Sequence, residues 1–532
     1  MVPPPSLAQR ENRQSNVPMR RFAASLLMAS LACACSAPQR VEVVELSVAQ
    51  AQAAMADGSC SSRALTQAYL DRIASVDDAG PTLNAVIEVN PRALDEATTL
   101  DRERAAGHVR GPLHGIPVLL KDNIDAVGLA NSAGSLALAD HRPVADAFLV
   151  ARLREAGAVI LGKTNLSEWA NFRSTRSTSG WSSRGGQTRN PYALDRSPCG
   201  SSAGTGAAIA ASLATVGVGT ETDGSIICPA SMNGLVGLKP TVGLVSRAGI
   251  IPISISQDTA GPMGRTVTDV AILMNVMAAA DPADPAGAAS KDRRSIDYTA
   301  SLRATALAGK RFGVLRQAMG YHPGVDLLMT HAIAAVRAQG AEVMDVTLPT
   351  YNAWNEHEIT VLLYEFKDGL NRYLQQSGAP VASLEALIAW NREHADQVMP
   401  HFGQELFELA QSTGSLTDAA YFQARDEAKR LAGKDGLLAV LANDRLDAVI
   451  APSTSPAWKT DPILGDHFVG AGYAMAAVAG TPSLTVPMGD VDGLPVGLTW
   501  MGRAYTEADL LGFAFAYEQA TAKRRAPGYR DR

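Results

Sequence analysis

Short apolar runs alternate with amphipathic stretches through the first half of the chain, and this alternation predicts the fold class. Residues 116–120 and 158–161 are apolar runs of strand length. Between them, residues 146–157 carry their apolar side chains on one face of a predicted helix that ends at Gly157. Strands that alternate with helices are typical of βα units, so we expect a largely parallel sheet.

The second half of the chain returns further predicted strands to the same sheet. Helical patterns dominate from residue 325 to residue 443. The later predicted strands and the last predicted helix lie at residues 311–315, 448–450, 483–486, 496–500 and 507–521. Together the patterns predict the α/β class and a single domain over residues 40–528. Its expected architecture is an α/β/α layered fold with one large mixed β-sheet sandwiched between helices.

The N-terminal pattern differs from the rest of the chain. Residues 1–18 are polar and rich in proline, and Met19-Arg20-Arg21 then precedes an apolar run from Phe22 to Ala34. A short basic segment followed by about a dozen apolar residues is typical of a secretory signal, and the run is too short to span a bilayer. Residues 1–36 are therefore predicted to be a leader and signal that direct export to the periplasm or cell envelope.

Two features of this leader stay open at this point. Translation starts either at Met1 or at Met19. The signal is either removed by ordinary cleavage or processed as a lipoprotein signal at Cys33 or Cys35. In the second case an N-terminal lipid is the only membrane anchor that we expect.

Composition narrows the classes of function. The 532 residues carry a formal net charge of −6 and 46% hydrophobic side chains. A large core is therefore available, and the basic footprint of a nucleic-acid-binding protein is not present. The cysteines outside the leader are Cys60, Cys199 and Cys228, and their spacing matches no metal site. We interpret Cys199 and Cys228 as small buried side chains rather than as a disulfide, and we expect no metal or cofactor.

Two small-residue turns carry the candidate chemistry. The segment from Ser197 to Gly206 and the segment Gly219-Thr-Glu-Thr-Asp-Gly-Ser225 flank an apolar run at residues 207–214. That run has almost no polar side, which predicts a fully buried helix. Ser201 and Ser225 are 24 positions apart, and they are the informative polar groups at the two ends of this buried segment.

Lysine follows an apolar predicted strand twice. Lys121 comes directly after residues 116–120. A lysine at a buried strand end is costly as a cation and tends to lose its proton, which suits a general base. The alternative is a lysine that pairs with Asp122 or Asp125. Lys163 also ends a predicted strand, but its polar neighbours indicate a structural or solvated lysine.

These segments resemble the amidase signature family over roughly residues 47–525. That family carries a Gly-Gly-Ser-Ser-Gly-Gly block, a later Gly-Gly-Ser-Ile turn, and a lysine in Gly-Ile-Pro-Val-x-x-Lys-Asp. The chain has Gly115-Ile-Pro-Val-Leu-Leu-Lys121-Asp122 and the family's spacing between the two serines. It departs from the pattern where Cys199, Ala203 and Asp223 replace glycines.

The resemblance implies a serine amidohydrolase with a Ser-Ser-Lys triad. It makes Lys121 the base, Ser201 the proton relay beside an unusual cis peptide bond, and Ser225 the nucleophile. The backbone N–H groups of the implied oxyanion hole belong to Thr222, Asp223, Gly224 and Ser225.

The segment from Gly219 to Ala230 looks like the peptide amidase branch of the family, whose members remove the C-terminal amide of peptides. The resemblance therefore implies a small-molecule or peptide amide as substrate, with a carboxylic acid and ammonia as products. It further implies a monomer without a cofactor or a nucleic-acid partner. The helical region 325–443 is expected to cover the substrate.

Other functions remain as alternatives. Gly200-Ser-Ser202-Ala-Gly204 also fits Gly-x-Ser-x-Gly, which predicts a Ser-His-Asp esterase using Ser202, Asp447 and His467. Within the family, the chain can instead be an amidase or esterase of other acyl amides. An inactive binding protein on this scaffold is disfavoured because all three expected catalytic residues are present. The amidotransferase subunit that works on charged transfer RNA is disfavoured by the predicted signal.

Overall fold

The computed structural model describes residues 41–290 and 296–531. The predicted leader, with its signal and its two candidate lipidation cysteines, lies outside these described residues. The contacts from Val41 onward group the rest of the chain into one unit. Among the described helices, none has both the length and the apolar character needed to cross a membrane.

One large sheet organises the described residues. The strands are β1 (Val86–Val89), β2 (Pro117–Lys121), β3 (Val159–Thr164), β4 (Trp181–Ser182), β5 (Gly186–Gln187), β6 (Val216–Glu221), β7 (Val236–Lys239), β8 (Thr259–Gly264), β9 (Arg311–Leu315), β10 (Glu342–Val346), β11 (Ala448–Pro452), β12 (Ser483–Val491) and β13 (Leu494–Met501). Eleven of these described strands follow the order β1-β3-β2-β6-β8-β7-β12-β13-β11-β9-β10, while β4 and β5 pair separately. The prediction of a large mixed sheet is confirmed.

The expectation of a largely parallel sheet is wrong. Strand β2 is parallel to both β3 and β6, and β9 is parallel to β10 and β11. The pairs in the middle of the sheet are antiparallel, including the long β12–β13 ladder. Asp492 and Gly493 connect β12 to β13 with positive φ angles of 53° and 74°. A two-residue connection of this kind forms a hairpin, which leaves no room for a crossover helix.

Helices flank this sheet. They are α1 (Val48–Ala56), α2 (Ser62–Arg72), α3 (Ala93–Ala105), α4 (Phe148–Glu155), α5 (Ala203–Ala210), α6 (Ile227–Met232), α7 (Val267–Met277), α8 (Pro323–Ala338), α9 (Asn355–Ser377), α10 (Leu384–Glu393), α11 (Ala395–Val398), α12 (Glu405–Ser412), α13 (Ala419–Lys429), α14 (Leu438–Asn443), α15 (Ala474–Ala479) and α16 (Glu507–Thr521). Strands β2, β3 and β6 are buried along their whole length, as expected for strands covered on both faces.

The region from residue 325 to residue 443 is largely helical, as predicted, but it also contains the edge strand β10. Strand β10 pairs in parallel with β9. The longest helix, α9, buries one face against the loops that precede the first serine turn, since Phe366 and Leu370 share a cluster with Trp169 and Phe172. This packing places the helical region beside those loops.

Candidate active site

Lys121 lies at the C-terminal end of β2 and is fully buried. Its amine donates hydrogen bonds to both oxygens of Thr220, at 3.1 Å to the carbonyl and 2.8 Å to the hydroxyl. Lys121 Nζ also lies 2.7 Å from Ser201 Oγ. Because β2 and β6 are parallel, their C-terminal ends lie at the same edge of the sheet. This pairing brings together side chains that are far apart in the sequence.

The first serine turn leads into α5, which is buried throughout. The peptide bond between Gly200 and Ser201 is cis. A Cβ on Gly200 would overlap the hydroxyl of Ser167, so this position accepts only glycine without rearrangement. The backbone N–H of Ser202 donates to the carbonyl of Ser225 at 3.2 Å, which ties the first serine turn to the second.

A disulfide between Cys199 and Cys228 joins the first serine turn to the start of α6, three residues after Ser225. The expectation of two separate buried thiols is therefore wrong. The two cysteines are 29 positions apart, and their Cα atoms lie 5.9 Å from each other. Helix α5 leads away from the first serine turn, and strand β6 returns the chain to it. The two serine turns therefore lie close together although they are far apart in the sequence.

The second serine turn follows β6 and is shaped by glycine. Gly224 has φ +77°, and a side chain there would overlap the ring of Tyr473. The Glu221 carboxylate accepts hydrogen bonds from the backbone N–H groups of Ile226 at 2.7 Å and Ile227 at 3.0 Å. These bonds fix the chain as it enters α6.

Ser225 lies in this turn with 8% of its surface exposed. In the described structure its hydroxyl forms no hydrogen bond, and it is not bonded to Ser201. The backbone N–H groups of Thr222, Asp223 and Ser225 likewise donate to no acceptor in the described residues, while that of Gly224 faces the Glu221 carboxylate. Three unused donors thus lie in the same turn as an unbonded hydroxyl.

The electrostatics of the site centre on Lys121. Burial lowers the pKa of Lys121 to about 7, against the opposing influence of the Glu221 and Asp258 carboxylates. The alternative in which Lys121 pairs with Asp122 or Asp125 is wrong, because those carboxylates have other partners. The amine therefore lies among hydroxyl and carbonyl oxygens, with no carboxylate in direct contact.

Lys163 occupies the neighbouring strand and has different partners. Its Nζ lies 3.3 Å from Asp122 Oδ1 and donates to the backbone carbonyls of Ile124 at 2.6 Å and Ala130 at 3.1 Å. Arg184 contacts the same Asp122 carboxylate at 3.1 Å. Lys163 is thus a structural lysine, as interpreted from the sequence, and it is buried rather than solvated.

The three residues of the Ser-His-Asp alternative do not come together. The Ser202 hydroxyl donates to the carbonyl of Thr220 at 3.1 Å. His467 is exposed and lies 3.5 Å from Asp461. Asp447 contacts Lys310 at 3.0 Å. The structure therefore contradicts a triad of Ser202, Asp447 and His467.

Two adjoining cavities lead to the two serines. The Ser201 cavity has a volume of about 420 Å³ and is lined by Ser201 and Thr220. The Ser225 cavity has a volume of about 280 Å³ and is lined by Ser225 and Gly200. Thr222 lines both. Across the described ranges, no group of His, Cys, Asp and Glu side chains is arranged to hold a metal ion.

Sequence reasoning missed two side chains near Lys121. The Thr220 hydroxyl accepts from Lys121 and also from the amide of Asn123 at 3.0 Å. Both residues stand inside motifs that the sequence pattern singles out, at the ends of β6 and β2. Thr220 and Asn123 come close to Lys121 because β2 and β6 are parallel neighbours. The sequence does not show this until the order of the strands is known.

Comparison with known proteins agrees with this geometry. A profile of the Amidase family matches residues 64–511. A probable amidase of Arabidopsis thaliana is 39% identical over 499 residues, which are 92% of each chain. A glutamyl-tRNA(Gln) amidotransferase subunit of Roseiflexus castenholzii is 38% identical over 492 residues, covering 90% of this chain and 96% of the relative.

The chain is more similar to a solved peptide amidase structure than to these two relatives. The native peptide amidase from Stenotrophomonas maltophilia is 56% identical and superposes with a TM-score of 0.88, covering 91% of this chain and 99% of that chain. This identity exceeds the values for the plant amidase and for the amidotransferase. The chain therefore belongs to the amidase family, and it is an amidase-signature enzyme that hydrolyses amides.

Proposed function

We propose that this enzyme hydrolyses the C-terminal amide of peptides through a Ser-Ser-Lys triad of Lys121, Ser201 and Ser225. The observation that carries the proposal is the 2.7 Å hydrogen bond between Lys121 Nζ and Ser201 Oγ in a fully buried setting. The high identity to a peptide amidase supports the substrate class. The amine, the relay hydroxyl and the nucleophile then act in sequence.

The surroundings of Lys121 suit a neutral amine. A neutral amine has two N–H donors and one lone pair. The two oxygens of Thr220 take the two donors, and the lone pair is left to accept the Ser201 O–H. With its pKa lowered to about 7 by burial, Lys121 is deprotonated in a substantial fraction of molecules near neutral pH, as a general base must be.

Acylation transfers one proton along this path. The Ser225 oxygen attacks the amide carbon while its proton passes to Ser201, and the Ser201 proton passes to Lys121. The two hydroxyls are not bonded in the unliganded site, so the Ser225 side chain must turn toward Ser201 when substrate binds. Catalytic hydrogen bonds commonly tighten only in the substrate complex.

The tetrahedral intermediate places a negative oxygen against the turn before Ser225. The N–H groups of Thr222, Asp223 and Ser225, which have no acceptor in the described structure, are the donors available to it. When the C–N bond breaks, the proton returns from Lys121 through Ser201 to the nitrogen, and ammonia leaves. Water then attacks the acyl ester by the same route, which releases the carboxylic acid and restores Ser225.

Product analysis tests the substrate class. Peptide C-terminal amides, simple acyl amides, esters and peptides with a free carboxyl end are supplied separately, and ammonia, alcohol and new amino groups are measured. We expect ammonia from peptide amides at the highest kcat/KM and no new amino groups from internal peptide bonds. A clear preference for esters or simple acyl amides would contradict the peptide amidase proposal.

Labelling with a fluorophosphonate tests the nucleophile. Ser225→Ala is expected to abolish labelling and ammonia release, because it removes the attacking oxygen. Ser202→Ala is the matched control on the neighbouring turn, and it is expected to keep substantial labelling. Labelling that is lost with Ser202 and persists without Ser225 would overturn the assignment.

Export remains part of the proposal. It is supported by the Arg-flanked apolar run at residues 20–34 and by the Cys199–Cys228 disulfide, since disulfides persist mainly in oxidising compartments. The mature protein is expected to begin near residue 33–37 and to be found outside the cytoplasm. Soluble cytoplasmic protein with an intact leader, identified by N-terminal sequencing, would contradict export.

A further inference from the structure

A third cavity lies next to the Ser225 cavity, so that the three cavities form a row starting at the Ser201 cavity. The Ser225 cavity adjoins a space of about 600 Å³, and Asp223, Phe468 and Tyr473 line both. We call this third space the acidic cavity. No described residue that lines the Ser201 cavity also lines the acidic cavity, so the Ser225 cavity lies between the two.

Two carboxylates give the acidic cavity its charge. Asp223 and Glu358 both line it, and none of its described lining residues is lysine or arginine. Glu358 is 9% exposed and accepts a hydrogen bond from Gln257 at 2.8 Å. Asp223 Oδ1 is buried and has no hydrogen-bond partner. Such a carboxylate lacks the donor that a buried polar group normally requires.

Tyrosine hydroxyls in the same cavity are also unpartnered. Tyr473 is 7% exposed, lines both the Ser225 cavity and the acidic cavity, and its hydroxyl forms no hydrogen bond among the described residues. The Tyr321 hydroxyl is buried without a partner. Buried polar groups without protein partners inside a cavity are available to hydrogen-bond a ligand.

Aromatic rings complete the lining. Tyr321, Tyr351, Phe468 and Tyr473 all line this space. The faces of such rings attract cations, and desolvated sites strengthen the attraction. Carboxylates together with several aromatic rings form the surroundings that an ammonium or guanidinium group prefers.

The Ser201 cavity has a different character. Arg247 and Arg372 both line it, and Arg247 contacts Asp284 at 2.6 Å. Asp258 and Asp284 line the same cavity, so it carries side chains of both charges, whereas the acidic cavity is lined by carboxylates and by no described lysine or arginine. The two ends of the row therefore differ in charge, and a cation is favoured at the Asp223 end.

The proposed mechanism fixes which part of the substrate occupies each end. Ser201 returns the proton to the departing nitrogen, so the leaving group lies toward the Ser201 cavity. Our proposal places the acyl part on the other side, past Asp223, which lines both the Ser225 cavity and the acidic cavity. Consecutive Cα atoms are about 3.8 Å apart, so the Cα of Asp223 lies within about 7.6 Å of the Cα of Ser225. A substrate residue one or two positions before the scissile amide spans this distance.

We propose that the acidic cavity binds a cationic group, ammonium or guanidinium, carried by the acyl part of the substrate one or two residues before the scissile amide. This inference rests on the proposed Ser-Ser-Lys mechanism and names the substrate class more closely. The group is either the free N-terminal amine of a short peptide amide or a basic side chain. Both offer the same chemistry to Asp223 and Glu358.

The electrostatics of the acidic cavity agree with this role. Burial, followed by repulsion from Glu358 and Glu221, raises the pKa of Asp223, while the buried Lys239 opposes the shift. Burial raises the pKa of Glu358 to about 7, against the donor from Gln257. A bound cation stabilises the ionised carboxylates and offsets the repulsion between Asp223 and Glu358.

Matched peptide amides test the proposal. Acetyl-lysyl-leucinamide is compared with acetyl-norleucyl-leucinamide for a side-chain cation, and alanyl-leucinamide is compared with its N-acetyl form for a terminal amine. At least one cationic member is expected to have a kcat/KM about tenfold above its neutral partner, in keeping with charge-assisted hydrogen bonds. Equal values in both pairs would overturn the proposal.

Variants then locate the effect. Glu358→Gln is expected to reduce the preference for the cation about fivefold or more, and Tyr473→Phe to reduce it by a smaller factor. Glu356→Gln is the matched control, because Glu356 lies on the same helix but is exposed and outside the cavity. If Glu358→Gln does not fold, the preference of Tyr473→Phe for the cationic amide is the test. A preference that survives every folded cavity variant, or that Glu356→Gln removes equally, would contradict the site.

A binding measurement separates this inference from the proposed function. Calorimetry with the Ser225→Ala protein and the same four amides reports affinity without hydrolysis. Tighter binding of a cationic member supports the acidic cavity even if the active enzyme releases no ammonia from peptide amides. Hydrolysis of all four amides with equal affinities leaves the proposed function standing and overturns the cation site.

Discussion

Lys121 and Lys163 lie at neighbouring places in the fold and have opposite surroundings. They stand near the C-terminal ends of the adjacent parallel strands β2 and β3, and both side chains are fully buried. Lys163 lies 3.3 Å from the Asp122 carboxylate. Lys121, one position before Asp122 in the chain, contacts the oxygens of Ser201 and Thr220 instead.

The comparison shows that the partner, and not the burial, separates a structural lysine from a candidate base. Burial lowers the pKa of both lysines, but Asp122 and Asp125 oppose the shift at Lys163. At Lys121 the opposing carboxylates, Glu221 and Asp258, make no direct contact, and the pKa is about 7. Asp122 is the first residue after β2, and its carboxylate contacts Lys163 and Arg184 rather than the lysine beside it in sequence.

The largest expected effect follows from removing the candidate base. Lys121→Met keeps an unbranched side chain but removes the amine, and it is expected to lower the acylation rate about 10²- to 10⁴-fold, the usual contribution of a general base. The loss is expected to be larger for amides than for esters, because departing ammonia requires a proton more than an alkoxide does. Rapid-quench measurement of the acyl-enzyme checks both statements.

The histidine of the discarded triad provides the control for this experiment. His467→Ala alters an exposed side chain that pairs with Asp461, and it is expected to change the rate by less than about twofold. Near-normal amide hydrolysis by Lys121→Met together with inactive His467→Ala would exclude the Ser-Ser-Lys assignment.

The second effect is expected in stability rather than in rate. Lys163→Met leaves the Asp122 carboxylate buried with Arg184 as its remaining cation. Removing one partner of a buried ion pair is strongly destabilising, and we expect the free energy of unfolding to fall by about 3 kcal/mol. Denaturant unfolding of both methionine variants measures this. If Lys121→Met is the more destabilised of the two variants, the assignment of Lys163 as the structural lysine is contradicted.

The smallest effect concerns Thr220, which accepts two hydrogen bonds from the Lys121 amine. Thr220→Val removes the hydroxyl acceptor and keeps the carbonyl. Loss of one such bond is expected to lower kcat about 3- to 10-fold, with KM nearly unchanged because the residue positions Lys121. Thr220→Ser restores the hydroxyl and is expected to restore kcat. A rise in KM without a fall in kcat would place Thr220 in substrate binding instead.

Local patterns were enough to predict much of the fold. The last helix occupies residues 507–521 as its periodicity indicates, and β9 occupies residues 311–315. The continuous apolar run before Lys121 predicts that it lies at a buried strand end, and the structure has it there. These predictions succeed because each depends only on the hydrophobic pattern within one stretch of the chain. Contacts with distant segments do not change that pattern.

Long-range pairing explains what the sequence could not reveal. The helical pattern over residues 325–443 hides strand β10, since a strand of five residues in which only Val343 and Val346 are buried carries little signal between long helices. The Cys199–Cys228 disulfide and the Lys121–Thr220 contact depend on which strand ends share an edge. Asp122 pairs with Lys163 because β2 and β3 lie side by side, and spacing along the sequence does not show which strands are neighbours.

The pH dependence of acylation tests the central claim most directly. A neutral Lys121 is required, so kcat/KM for a peptide amide is expected to fall about tenfold per pH unit below a midpoint near pH 7, the lowered pKa of Lys121, and to level off above it. Glu358 has a pKa of about 7, so Glu358→Gln is the control that must keep this midpoint. The residual rate of Lys121→Met is expected to lose it. A midpoint near the ordinary lysine value, or the same inflection in Lys121→Met, would contradict the account.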